Sequence, residues 1–186
     1  MRIDNVPTSI ATGTLVVGMV LILVFVLIII GIYVPIFIDA WGARKIVKEL
    51  NKMPIIPEKN VMLMNPDNDL WRGKAGYIEK KLDELIVVAR DMKILRKGIV
   101  PVRVGVSEFW MIWGIAYDPS FIVLDSKTLK KENFTVDGLL AHEFAHLLVE
   151  DSKGQDAHGA SWQKTCQFLF TKTFGYQPNQ HHEACR

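Results

Sequence analysis

The stretch TVDGLLAHEFAHLLVE, residues 135–150, decides the fold of this chain. Thr135 is a good N-cap residue and Asp137 follows in the first turn, so we predict a helix from Thr135 to about Glu150. Apolar residues occupy most of its positions, which indicates a largely buried helix. Two histidines and a glutamate inside such a helix need partners, because an unpaired buried polar group costs free energy.

The centre of this helix carries the pattern HExxH, with His142 and His146 four residues apart. At 3.6 residues per turn, these two side chains share one helix face and can reach a single Zn²⁺ ion. Glu143 lies beside the first histidine, where it can act as a general base on a water molecule. The alternative is a pair of core histidines that bond to backbone carbonyl groups.

A catalytic zinc site usually has three protein ligands and one open position. His158, which follows after a loop containing Gly154, is the favoured third ligand. Glu150 is the alternative, since it lies one turn beyond His146 on the same face. His181 and His182 belong to a polar C-terminal stretch, and we expect them to be solvated.

Residues 142–146, followed by Asp156-Ala157-His158-Gly159-Ala160-Ser161-Trp162, resemble the SprT-like zinc metallopeptidases. Those proteins carry HExxH and, after a variable loop, a His-Gly pair with an aromatic residue three positions later. The resemblance covers about residues 75–175 and implies a zincin-like domain. It also implies zinc held by His142, His146 and His158, with Glu143 as the catalytic base and Trp162 as a packing residue.

Several members of that family carry a zinc ribbon and act on DNA-bound proteins. This sequence contains neither a ribbon nor a basic stripe in the domain, and its net charge is only +2. We therefore expect a protein or peptide substrate and no nucleic-acid partner.

The remaining pattern predicts an α+β fold with a small three-stranded sheet. Pro101 suggests that the first strand lies at an edge. The third strand could also be an edge strand, on which an extended substrate adds as a further strand. The predicted elements are a helix at Ala75–Arg96, strands at Ile99–Val106, Phe109–Tyr117 and Phe121–Leu124, the helix at 135–150, and a last helix at Ser161–Phe174 that Gly175 stops.

The N-terminal part contains no charged residue from Thr8 to Ile38. About 20 apolar residues cross a bilayer as a helix, so we predict one transmembrane helix over residues 10–38. Four basic residues follow within fifteen positions, and the positive-inside rule places the large domain in the cytoplasm with the N-terminus outside. This basic cluster could also contact anionic lipid, the alternative being a solvated continuation of the helix; its members are Arg44, Lys45, Lys48 and Lys52.

The predicted organisation is thus a short tail, a membrane span, a juxtamembrane helix with a linker, a metallopeptidase domain and a polar tail. The corresponding ranges are 1–9, 10–38, 39–59, 60–176 and 177–186. Cys166 and Cys185 are predicted to be free thiols, with one bridge between them as the alternative. Tyr117 and Tyr176 are the two side chains considered as oxyanion donors.

These observations together predict a membrane-anchored zinc metallopeptidase that hydrolyses peptide bonds. A membrane-tethered zinc-binding adaptor without turnover is the alternative, although an adaptor needs ligands and no base. A metallohydrolase of small molecules is the third hypothesis.

Overall fold

The computed structural model describes residues 8–149, 158–175 and 185. Glu150, Tyr176, His181 and His182 lie outside the described residues. The chain divides into two compact units, residues 1–38 and residues 39–186. Helix α1, Thr8–Leu50, is continuous along the chain from the first unit into the second.

The described part of the first unit is the apolar part of α1. The apolar side chains from Val17 onward are exposed along this part, and none of the residues in its most apolar stretch is buried. By length and composition this helix is able to cross a membrane. The described part of the first unit therefore offers the apolar surface that the predicted span requires.

The second unit is built on a four-stranded mixed sheet with the order β1-β2-β4-β3. The β1–β2 and β2–β4 pairs are parallel, and β3 runs antiparallel to β4. The α+β class is confirmed, but the prediction of three strands is wrong. The missed strand is β1, which has three residues and is too short to show a periodic pattern in the sequence. The strands are β1 at Val61–Leu63, β2 at Val102–Ser107, β3 at Gly114–Tyr117 and β4 at Phe121–Asp125.

The sheet order also corrects both edge-strand predictions. β2 lies between β1 and β4, and Pro101 precedes β2, so this proline removes no hydrogen bond from the sheet. β4, predicted as the strand that could bind substrate, is paired on both sides. The edge next to β4 is β3, which is shorter than predicted because residues 108–113 form a loop.

Two apolar layers enclose the sheet. On one face, Ala43 and Leu50 from the end of α1 pack with Phe109, Phe121 and Val123. The other face packs against helices α2, Ala75–Asp91, α3, Asn133–Leu148, and α4, Ala160–Phe174. Because both faces are covered, all five residues of β4 and four of the six residues of β2 are buried.

Two helix ends differ from the sequence prediction, and a third agrees with it. α2 ends at Asp91 and not at Arg96, and Lys93 adopts a left-handed conformation with φ 58°. α3 begins at Asn133, so Thr135 lies within the helix and is not its N-cap. α4 ends as predicted, with Gly175 at φ 76°.

Cys166 and Cys185 form a disulfide with a Cα–Cα distance of 5.5 Å, so the prediction of free thiols is wrong. The two cysteines are 19 residues apart in the sequence. No local pattern shows that Cys185 lies beside Cys166 of α4, because this contact arises only from the tertiary fold.

Candidate metal centre

Helix α3 places His142 and His146 on one face, as their spacing predicts. Their Nε2 atoms are 3.2 Å apart, and both side chains are partly buried. The surrounding positions of α3 are buried in the core that α2, α4 and the sheet share. This packing holds the helix in place, and the helix backbone in turn keeps the two imidazoles side by side.

His158 completes a cluster of three imidazoles. It lies two residues before the start of α4, and its Nε2 atom is 3.2 Å from that of His146 and 3.3 Å from that of His142. The three histidines thus offer three nitrogen atoms to one point, which makes them a site that could hold a metal ion. The third ligand predicted from the sequence is His158, and the structure brings it to the other two.

The separations of the nitrogen atoms can be compared with the size of a metal ion. Imidazole ligands 2.0–2.1 Å from a tetrahedral Zn²⁺ lie roughly 3.3–3.4 Å from each other. The three observed distances are 3.2, 3.2 and 3.3 Å. The cluster therefore fits three corners of a tetrahedron around an ion of this size.

Trp162 packs against all three histidines from the first turn of α4. Its ring centre is 4.7 Å from that of His142, 5.0 Å from that of His146 and 4.5 Å from that of His158. The indole is 1% exposed and stacks on His146 with an interplanar angle of 27°. This contact matches the packing role that the family resemblance implies for Trp162.

The imidazole of His146 is held in its neutral form. Burial, together with the smaller effects of the neighbouring His142 and His158, lowers the pKa of His146 to about 3. A neutral imidazole is the form that binds a metal, since a protonated ring has no free lone pair.

Glu143 lies between α3 and strand β3. Its side chain is 3% exposed, and the backbone N–H of Ala116 donates a hydrogen bond to the carboxylate. Burial raises the pKa of Glu143 to about 8, and the Ala116 hydrogen bond acts in the opposite direction. A carboxyl group with such a pKa can exchange protons near neutral pH.

Gly114 provides the space that this carboxyl group occupies. A Cβ atom at this position would lie 2.8 Å from Oε1 of Glu143 and 3.1 Å from Cδ1 of Leu139. Sequence reasoning missed Gly114 and Ala116 as part of the site. Both residues lie in a predicted strand that precedes the HExxH helix, but nothing in the strand pattern indicates which of its residues face that helix.

Tyr117 packs in the apolar layer between the sheet and the end of α1, and not in the layer that contains α3. The hydroxyl donates to the backbone carbonyl of Ala40 at 3.4 Å. Burial raises the pKa of Tyr117, while the neighbouring Arg44 lowers it. The other candidate tyrosine, Tyr176, and the alternative ligand, Glu150, lie outside the described residues.

Comparison with known protein families, curated proteins and solved structures finds no match for the chain.

Proposed function

We propose that this chain is a membrane-anchored, zinc-dependent peptidase. The observation that carries the proposal is the convergence of three histidine Nε2 atoms at 3.2–3.3 Å, two of them on the same helix as a buried glutamate. A purely structural role would need no such set, because three imidazoles that meet at one point satisfy few hydrogen bonds among themselves.

Zinc is the proposed metal because three imidazoles and one open position are the ligand set of catalytic zinc sites. His142, His146 and His158 would hold the ion. Harder ions such as Mg²⁺ and Ca²⁺ prefer oxygen ligands, which this cluster does not supply among the described residues. When bound, zinc would act as a Lewis acid and lower the pKa of a coordinated water molecule.

Glu143 is the proposed general base. Its position is fixed on one side by helix α3 and on the other by Gly114 and the Ala116 N–H of β3. A base held in this way can accept a proton from water and return it to the leaving amine without reorganising. The packing of Trp162 on the three imidazoles limits their rotation and so supports the same geometry.

The edge strand β3 supports a peptide substrate. Within the described residues β3 pairs only with β4, so its outer edge has backbone groups available for an added strand. An extended peptide on β3 would lie next to the strand that contacts Glu143. A small-molecule substrate needs no such edge, and we therefore favour protein or peptide substrates over small molecules and nucleic acids.

The resemblance to the SprT-like metallopeptidases supports this proposal through the site residues. The three histidines of the pattern and Trp162 form one cluster in space. We propose on this basis that residues 60–176 form a zincin-like domain.

Membrane anchoring is proposed from helix α1, and its orientation from charge. The basic residues after the apolar run favour a cytoplasmic domain. The Cys166–Cys185 disulfide favours the opposite orientation, because disulfides persist mainly in oxidising compartments. Accessibility of a tag at the C-terminus in intact cells decides between them: protection supports the cytoplasmic domain, and labelling supports the reverse.

The decisive experiment compares the full chain with its Glu143→Gln and His158→Ala variants in detergent. We expect about one zinc per chain in the parent and in Glu143→Gln, and a clear loss of zinc in His158→Ala. Hydrolysis of an unstructured protein substrate should fall by about 10²–10⁴-fold in Glu143→Gln.

Each contrary outcome points to one part of the proposal. A parent that binds zinc but hydrolyses no peptide would favour the adaptor. Equal turnover in Glu143→Gln would remove Glu143 from the mechanism. Full zinc retention in His158→Ala would exclude His158 as a required ligand and would favour the alternative, Glu150.

A further inference from the structure

The loop of residues 108–113, between β2 and β3, exposes large apolar side chains. Trp110 is 73% exposed, and Met111 and Trp113 are each 53% exposed. Large apolar side chains scattered singly on a surface are ordinary, but three within four consecutive residues form a patch. Two of the three are tryptophan, the residue that is enriched where a bilayer meets water.

This loop is fastened to the residue that directly follows the apolar run of α1. The carboxylate of Asp39, which is 1% exposed, accepts hydrogen bonds from the backbone N–H groups of Trp110 at 2.8 Å, Met111 at 2.8 Å and Ile112 at 3.3 Å. Three N–H donors satisfy a buried carboxylate, which would otherwise be costly. The loop is thus tied to the point where the membrane-spanning part would end.

The two ends of the loop are also held by the domain. The N–H of Phe109 donates to Asp125 Oδ1 at 3.0 Å, and Lys127 Nζ donates to the Phe109 carbonyl at 2.8 Å. At the other end, the Asp125 N–H donates to the Trp113 carbonyl at 2.8 Å. The exposure of Trp110 and Met111 therefore belongs to a fixed loop.

Cations accompany the exposed aromatic side chains. Lys45 Nζ lies 3.4 Å from the ring centre of Trp41, which is 54% exposed, and Lys131 Nζ lies 4.2 Å from that of Trp113. Tryptophan and lysine side chains together suit a bilayer interface. The amphipathic indole ring lies at the level of the head groups, and the lysine cation is attracted to anionic lipids. Trp41 is two residues beyond Asp39, so it also lies close in sequence to the end of the apolar run.

We infer that the loop 108–113 is a second membrane contact, which inserts Trp110 and Met111 into the interfacial layer of the bilayer that α1 crosses. The inference rests on the membrane anchoring in the proposed function. We assign a lipid surface to this apolar patch because hydrogen bonds hold the loop at Asp39, the residue where the proposed membrane span ends. Since Gly114 directly follows Trp113, the loop also joins this contact to the strand beside Glu143.

Spin labels on the full chain in vesicles of phosphatidylcholine and phosphatidylglycerol test the inference. Both native cysteines are in the disulfide, so an introduced cysteine takes the label. The test position is Met111→Cys, and the matched control is Met92→Cys, at a methionine of nearly equal exposure, 50%. Leu27→Cys, within the apolar run, reports on the anchor. Accessibility is measured by collision with oxygen, which dissolves in lipid, and with a water-soluble nickel complex.

We expect the label at residue 111 to favour oxygen over nickel, as the label at residue 27 does, while the label at residue 92 favours nickel. A label at 111 as accessible to nickel as that at 92, with 27 in lipid, would overturn the loop contact and leave the anchor intact. A label at 111 shielded from both reagents would show a protein partner there and also overturn it. Nickel access at residue 27 would refute the anchor, and the loop proposal with it.

Discussion

Residues 17–38 of α1 and helix α3 are both apolar on nearly all sides, but only α3 is enclosed by protein. The side chains of the first segment are largely exposed, whereas eleven residues of α3 are buried. A buried apolar helix can hold polar groups where neighbouring elements pair them: Tyr77 donates to Asp137 at 2.5 Å, and Ala116 donates to Glu143. Among the residues that the structure describes, the exposed segment has no such neighbours, and it carries no charge.

The comparison shows that composition alone does not distinguish a core helix from a membrane helix. Polar groups within the apolar run do distinguish them, because a charge is tolerated only where protein partners compensate its burial. Four experiments with substituted chains test this difference and the site that α3 carries, beginning with the largest expected effect.

The double substitution Leu23→Arg and Leu27→Arg should detach the chain from membranes. Exchanging two leucines for arginines near the centre of a span costs about 6–8 kcal/mol of insertion free energy. The measurement is the fraction that stays in the membrane pellet after alkaline carbonate extraction. Val87→Arg with Met92→Arg, at exposed positions of the second unit, is the control and should stay in the pellet. Retention of both variants would show that residues 17–38 do not span the bilayer.

Phe144→Ala and Phe25→Ala compare one residue type in the two helices. Phe144 is fully buried and Phe25 is 64% exposed. Loss of the buried ring should lower the free energy of unfolding by about 3–5 kcal/mol. The Phe25 change should alter it by less than about 0.5 kcal/mol.

Urea unfolding of the full chain in micelles, followed by tryptophan fluorescence, measures both values. Equal losses would contradict the view that only α3 belongs to a packed core.

Gly114→Ala tests whether β3 positions the polar group of α3. The added methyl group would contact Oε1 and Cγ of Glu143, so the carboxylate must move. We expect turnover to fall by up to about 10²-fold while zinc content stays unchanged, since no histidine is contacted. Gly76→Ala is the control, because a Cβ atom there meets nothing within 4 Å. Loss of zinc in Gly114→Ala would instead indicate a disturbed α3.

Trp162→Phe should have the smallest effect. Within the described residues the buried Nε1 atom of Trp162 has no hydrogen-bond partner, so its removal forfeits no hydrogen bond. A phenyl ring keeps part of the aromatic contact with the histidines. We expect zinc affinity to change by less than about 1 kcal/mol, or about fivefold. A larger loss, measured by competition with a chelator, would show that the indole itself orients the imidazoles.

The sequence predicted the elements whose signals are local. The spacing of His142 and His146 places two side chains on one helix face in any helix, so this pair did not depend on the tertiary fold. Gly175 ended α4 as expected, because a residue without Cβ adopts the left-handed conformation at little cost.

Signals that depend on distant neighbours were predicted less well. Thr135 would be an effective N-cap, but the chain is already helical two residues earlier. The loop before β3 was predicted as strand because it is apolar; in the structure three of its N–H groups bond to Asp39 and not to another strand.

By itself, then, the sequence determined which residues could bind a metal ion, where a buried helix would carry them and where a membrane could be crossed, because each follows from spacing or composition along a single segment. Only the tertiary structure decided that β3 and not β4 is the edge strand, that Gly114 receives the Glu143 carboxylate, and that Cys166 meets Cys185. These three features depend on residues far apart in the chain, and only the packing of the whole domain brings such residues together.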